Sequence, residues 1–253
     1  MQQILPYSID DDPVIKALRA EGAADSDVIG ILVTGSRAVG AVTTESDYDV
    51  IFIVSDETAE RYARENREPR RGHLLDPEID TADIQWHECP RTLREYNTFG
   101  VDVCHVFYDQ TGELTALAEE LRRMPEEEAR ATVTKSYDDY LDGIFRSLKC
   151  WRRGNELGAR LEAAQTVDAL LRMLFALERH WRPFGSRVYL HLEMLAGQGW
   201  QPGELHASLL DLLTSADARR HEASMRRVVV LMAERGYGDI YGAWKEQIER
   251  ALI

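Results

Sequence analysis

Four residues near the start of the chain have the types and spacing that phosphate chemistry needs. Gly35 and Ser36 end an apolar run, and Asp47 and Asp49 follow after a short loop, one residue apart. Residues i and i+2 of a strand face the same side, so both carboxylates are expected to point to one place. Carboxylates held together repel unless a cation lies between them, and Mg²⁺ prefers oxygen ligands. The pair therefore predicts a magnesium site.

Gly35 and Ser36 predict the phosphate contact of the same site. A glycine at a strand end lets backbone N–H groups approach a ligand, and a neighbouring serine hydroxyl can hold phosphate oxygens. Arg37 could add a charged contact to the phosphate group of a bound nucleotide. Gly40 would allow the loop to turn. The Walker pattern is absent from the sequence. The alternative is a loop whose aspartates only form turns.

Asp83 supplies a third carboxylate in the segment TADIQWHECP, residues 81–90, which is predicted to be a strand. On a strand it would share a face with Gln85 and His87. Two-metal nucleotidyl transfer commonly uses three carboxylates, so Asp83 is the predicted third metal ligand.

Composition narrows the class of protein and its partners. The chain has 253 residues, three cysteines and a formal net charge of −14. An odd number of widely spaced cysteines disfavours a disulfide scaffold. The neighbouring His and Cys residues at 87–89 and 104–105 lack the spacing of a structural zinc site. The acidic balance disfavours a nucleic-acid partner and favours a cationic small molecule. Without a signal peptide or a long apolar stretch, we expect a cytoplasmic protein that does not enter a membrane.

The pattern of apolar residues changes near residue 110. Before it, apolar runs predict strands and polar stretches predict helices; after it, apolar positions recur at helical spacing. The predicted strands are 29–34, 48–54, 81–90 and 101–109, and the predicted helices are 12–23, 57–68, 126–153, 159–181, 187–197, 204–214, 217–236 and 240–252. We therefore expect an α+β domain with a mixed sheet over residues 1–115 and an all-α helical bundle over residues 116–253.

The ordered set GSRAVG, SDYDVIFIV and DIQW resembles the nucleotidyltransferase superfamily typified by DNA polymerase beta. The helical half is similar to that of small bacterial nucleotidyltransferases related to enzymes that modify aminoglycosides and lincosamides. The resemblance implies that Asp47, Asp49 and Asp83 hold the catalytic Mg²⁺, with Asp83 a candidate base. It also implies that Gly35 and Ser36 contact the triphosphate.

The resemblance extends to residues of the helical half. Carboxylates there bind the acceptor in related enzymes, which makes Asp139 and Asp142 candidates, and a lysine there contacts the nucleotide, which makes Lys149 one. The alternatives are a solvated acidic helix face and a surface lysine favoured near a helix C-terminus.

The expected activity is adenylyl transfer: AMP passes from ATP to a hydroxyl of a small cationic acceptor such as an antibiotic, and pyrophosphate leaves. One alternative keeps the chemistry but changes the acceptor to a protein or tRNA, as in toxins and regulators. Another is a catalytically silent nucleotide-binding module. The resemblance also admits a homodimer.

Overall fold

A computed structural model describes residues 3–66, 84–96, 103–195, 201–214 and 218–252 of the chain. It divides into two compact units, Met1–Arg123 and Met124–Ile253. The predicted boundary after residue 115 differs, because it would cut helix Glu113–Leu121. That helix packs Leu114 and Leu117 into a core shared with sheet residues, and so belongs to the first unit.

The described part of the first unit contains four strands, five α-helices and one 3₁₀ turn. The predicted strands and both predicted helices are confirmed with shifted ends, whereas the α-helices at Gly35–Ala38, Pro90–Tyr96 and Glu113–Leu121 were not predicted. Residues 67–68, 81–83 and 101–102 of the predicted elements lie outside the described residues. In chain order the elements are a 3₁₀ turn Ile9–Asp11, α1 Pro13–Ala24, β1 Val28–Val33, α2 Gly35–Ala38, β2 Asp49–Val54, α3 Asp56–Arg64, β3 Ile84–Glu88, α4 Pro90–Tyr96, β4 His105–Asp109 and α5 Glu113–Leu121.

The four strands form one mixed sheet in the order β3-β2-β1-β4. β1 is antiparallel to both of its neighbours, and β2 and β3 are parallel. Helices cover both faces of the sheet. Ile15 and Leu18 of α1 pack on one face with Phe52, while Leu93 of α4 packs on the other with Ile51. All six residues of β2 are buried, and the five that follow Asp49 form a continuous apolar run, as expected for a strand covered on both faces.

The described residues of the second unit form helices and no strand. They are α6 Glu126–Arg152, α7 Glu156–Leu177, a 3₁₀ turn Gly185–Arg187, α8 Val188–His191, a 3₁₀ turn Leu192–Leu195, α9 Pro202–Thr214, α10 Ala218–Glu234 and α11 Gly238–Ala251. Within the part of the chain that the structure describes, no helix combines the length and apolarity needed to cross a membrane.

α6 and α7 form a long helical hairpin at the centre of this unit. Tyr137 and Ile144 of α6 and Leu174 of α7 are fully buried in its core, as their spacing predicts. Leu161 does not follow the predicted apolar stripe, because 57% of its surface is exposed. Gly143 lets the two helices approach closely, since a Cβ there would lie 2.3 Å from the Thr166 hydroxyl.

Candidate functional site

The described site residues of the first unit, Gly35, Ser36, Asp47 and Asp49, lie near the same end of the neighbouring strands β1 and β2. β1 and β2 are antiparallel, so the end of β1 lies beside the start of β2, and the Thr34 N–H donates to the Asp49 carbonyl oxygen at 2.9 Å. β3 runs parallel to β2 and starts at the same edge, with Ile84 in register with Asp49. Asp83, the residue before Ile84, lies outside the described residues.

The two aspartates differ in burial. Asp49 is the first residue of β2 and is 8% exposed, whereas Asp47 precedes the strand and is half-buried. Their carboxylate oxygens suit a hard divalent cation such as Mg²⁺. Among the described residues, which do not include Asp83, no group of three acidic, histidine or cysteine side chains is arranged to hold a metal ion.

Gly35 and Ser36 begin the short helix α2 immediately after β1. Gly35 is buried with a φ of +73°, a conformation that a residue with a Cβ rarely adopts. The Ser36 Oγ is shielded from solvent and has no hydrogen-bond partner among the described atoms. An unsatisfied buried hydroxyl costs about 1–3 kcal/mol, and a phosphate oxygen is a group that would satisfy it. The local geometry therefore fits the predicted phosphate contact.

Arg37 has partners that the sequence did not indicate. Its Nε donates to the carbonyl oxygen of Asp47 at 2.8 Å and its Nη2 to that of Ser46 at 2.8 Å. Its Nη1 lies 3.2 Å from Oδ2 of Asp12. The prediction gave this guanidinium to the nucleotide, but three of its nitrogens bond to the protein and only 10% of the side chain is exposed.

A small cluster of polar and aromatic side chains surrounds Arg37. The guanidinium lies 3.5 Å from the centre of the Tyr48 ring and 5.4 Å from that of Tyr7. The Tyr48 hydroxyl donates to Asp12, whose other contacts cap the first turn of α1. Burial raises the pKa of Tyr48 from 10.0 to about 12, so the hydroxyl keeps its proton well above neutral pH.

Sequence reasoning did not assign a role to Asp12 or Tyr48. Asp12 carries a local signal, because it precedes Pro13 and the first turn of α1, as an N-cap does. That signal predicts the start of the helix and says nothing of the ion pair with Arg37, which lies far along the chain.

In the second unit, the two predicted acceptor residues line one groove. Asp139 and Asp142 of α6 lie along a cavity of about 590 Å³, together with Glu162 and Asp168 of α7. Asp139 pairs with Lys135 at 2.6 Å, and Asp142 pairs with Arg146 at 2.8 Å. Exposed ion pairs of this kind contribute little to stability, because water and salt screen the two charges.

Lys149 lines a different cavity of the same unit, of about 460 Å³. Arg152, Arg153 and Arg250 line it too, and the Lys149 Nζ lies 5.5 Å from the centre of the Phe145 ring. The surroundings are cationic, as an anionic ligand requires. Lys149, Arg152 and Arg250 also lie in the last turns of α6 and α11, where cations offset the negative end of a helix.

Comparisons with known proteins match one family model and several solved structures. The model of a domain of unknown function (DUF4037) matches residues 88–186. No curated protein matches the chain. One solved structure that matches is a nucleotidyltransferase-like protein from Exiguobacterium sibiricum 255-15, at 16% identity, with a TM-score of 0.47 over 89% of this chain and 76% of that one. Similarity at this level says nothing of the activity of this chain.

Proposed function

We propose that the chain is a metal-dependent nucleotidyltransferase that transfers AMP from ATP to a hydroxyl of a small cationic acceptor. The observation that carries the proposal is the shared sheet edge. Gly35 and Ser36 leave β1 at the point where Asp49 opens β2, and the bond from Thr34 to Asp49 joins the two. The residues that we assign to the phosphates are thus neighbours of a proposed metal ligand, in a first unit whose sequence resembles that superfamily.

Asp47 and Asp49, with Asp83 as the predicted third ligand, would hold Mg²⁺, which would neutralise charge on the phosphate oxygens. Gly35 opens the space for the phosphates, and the Ser36 hydroxyl donates to one of their oxygens. The acceptor oxygen attacks the α-phosphorus and loses its proton, with Asp83 a candidate base. The bond from the α-phosphorus to the bridging oxygen breaks, and pyrophosphate leaves.

The charge of the protein supports a cationic acceptor. The formal net charge is −14, and the groove that contains Asp139 and Asp142 is lined by four carboxylates and two arginines, an excess of negative charge. An acidic groove raises the local concentration of amines. Lys149, in its cationic cavity, is the helical residue that we assign to the triphosphate.

Pyrophosphate release from ATP and Mg²⁺ tests the proposal. The assay uses the full chain with a panel of aminoglycosides, lincosamides and other polyhydroxylated amines. We expect release that depends on the acceptor and that falls at least about a hundredfold in Asp49→Asn, because the charge that binds the metal is removed. Asp10→Asn makes the same change at an exposed position and should leave release unchanged.

Two other results would favour a different function. Nucleotide binding that depends on Mg²⁺, without release for any amine, would favour a protein or tRNA acceptor. Absence of any Mg²⁺-dependent nucleotide binding, measured as a shift in melting temperature, would reject the proposal in favour of a silent module.

A further inference from the structure

We propose that Arg37 is a positioning residue that fixes the aspartate loop against the Gly35-Ser36 turn, with Asp12 as its anchor. The inference rests on the proposed function, because it concerns how that site is held in shape. It gives Arg37 a role distinct from contact with the nucleotide.

The first argument is the path that the Arg37 side chain takes. Its backbone follows Ser36 directly, so it belongs to the phosphate half of the site. Its guanidinium donates to the carbonyl oxygens of Ser46 and Asp47, both at 2.8 Å, which lie at the entrance to the carboxylate half. One side chain therefore joins the two halves across the loop between them.

The second argument is that the guanidinium itself is held in place. Asp12 accepts from its Nη1, and the side chain of Asp12 is only 4% exposed. Tyr48 packs against the guanidinium at 3.5 Å and donates its hydroxyl to the same aspartate. Asp12 is fixed in turn by the N–H groups of Val14 and Ile15 at the start of α1. The loop is thus connected, through Arg37 and Asp12, to α1, which packs on one face of the sheet.

The third argument is chemical. A guanidinium is planar and presents several N–H donors in a fixed fork, so it can bond to three acceptors in different directions while it stacks on a ring. A lysine keeps the charge and can pair with Asp12, but its single nitrogen cannot reproduce the fork. Arg37→Lys therefore separates the positioning of the loop from the neutralisation of Asp12.

The chain offers a matched control with the same three residue types. Arg61 pairs with Asp27, the Tyr62 hydroxyl donates to Asp27 at 2.8 Å, and Arg61 lies 5.4 Å from the centre of the Tyr62 ring. This cluster joins α3 to the residue before β1 and includes no predicted site residue. Arg61→Lys makes the same chemical change away from the aspartate loop.

The test is the affinity of the full chain for Mn²⁺, measured by electron paramagnetic resonance of the free ion, for proteins whose circular dichroism shows them folded. We expect Arg37→Lys to bind Mn²⁺ at least about tenfold more weakly than the wild type, as when groups that orient metal ligands are changed. Asp12→Asn should weaken Mn²⁺ binding in the same direction. Arg61→Lys should bind as the wild type does.

Asp49→Asn in the same titration distinguishes the two proposals. If Asp49→Asn loses Mn²⁺ but Arg37→Lys and Asp12→Asn bind it within twofold of the wild type, the positioning role is overturned and the proposed function stands. If Asp49→Asn binds Mn²⁺ like the wild type, the proposed metal site itself is rejected. Asp12→Asn keeps the test decisive if Arg37→Lys does not fold.

Discussion

The N–H of Thr34 donates to the carbonyl oxygen of Asp49 at 2.9 Å, and this bond is where the ladder between β1 and β2 ends. Beyond it the two segments separate: Gly35 turns into α2 with a positive φ, and Asp47 leads back into the loop. Gly35 and Ser36, the residues that we assign to the phosphates, thus leave β1 beside Asp49, the first residue of β2 and a proposed ligand of the cation.

Ser36→Ala should separate ligand binding from stability. The hydroxyl is buried without a hydrogen-bond partner among the described atoms, which costs about 1–3 kcal/mol, so its removal should raise the free energy of unfolding by up to that amount and not lower it. The same change should weaken the affinity for ATP with Mg²⁺ about tenfold, because a hydrogen bond to a charged oxygen is lost. Calorimetric titration and denaturant unfolding measure the two quantities.

Ser147→Ala is the matched control, with the opposite expectation. The Ser147 hydroxyl is fully buried, donates to the carbonyl oxygen of Ala159 at 3.0 Å and lies 3.3 Å from Nδ1 of His221. Its loss should cost about 1–2 kcal/mol of stability and leave ATP affinity unchanged. Equal ATP affinity in Ser36→Ala and the wild type would contradict the assignment of Ser36 to the phosphate.

Stability should fall as the pH rises from about 10 to 12. Burial raises the pKa of Tyr48 and of Tyr7 to about 12 in the folded protein, against 10.0 when unfolded. Between these values the unfolded chain has released protons that the folded protein still binds, so unfolding becomes more favourable with increasing pH. Denaturant unfolding at intervals from pH 8 to 11 measures the slope.

Substitution of the half-buried Tyr48 and of a more exposed tyrosine checks the cause of that slope. Tyr48→Phe should flatten it above pH 10, because a phenol with a raised pKa no longer titrates. Tyr189→Phe, which changes a residue that is 50% exposed, should leave it as in the wild type. An unchanged slope in Tyr48→Phe would exclude this tyrosine as a source of the alkaline sensitivity.

Gly143→Ala should destabilise the helical hairpin by about 1–3 kcal/mol, because the added Cβ would lie 2.3 Å from the Thr166 Oγ1 and force α6 and α7 apart. The double variant Gly143→Ala/Thr166→Ala removes the clashing atom and should recover part of the loss. Gly203→Ala has no atom within 4 Å of its new Cβ and should not destabilise. Thermal unfolding of the three variants makes the comparison.

Asp142→Asn should raise the KM for a cationic acceptor up to about fivefold, the range of a single exposed charge pair, and leave the KM for ATP unchanged. Arg146 already pairs with Asp142 at 2.8 Å, which limits the effect. Glu128→Gln, in the exposed first turn of the same helix, is the control. An equal KM for acceptor in Asp142→Asn and the wild type would leave Asp142 as part of a solvated helix face.

The sequence predicted elements best where burial imposes one pattern. β1 and the part of β2 after Asp49 are covered on both faces, so they appear as apolar runs, and α6 and α7 bury one side of each helix in a common core. Prediction failed where a residue has two compatible roles. Pro90 was interpreted as the end of a strand, yet it begins α4, because the first position of a helix needs no backbone N–H bond.

The sequence by itself determined the candidate chemistry: Gly35, Ser36, Asp47 and Asp49 are close in the chain, and their types limit what they can bind. Only the tertiary structure decided which edge of the sheet they share and what holds them there. Arg37 pairs with Asp12, and that contact depends on how α1 packs against the sheet. Local propensity acts over a few residues, whereas such a contact is fixed by the burial of the whole core.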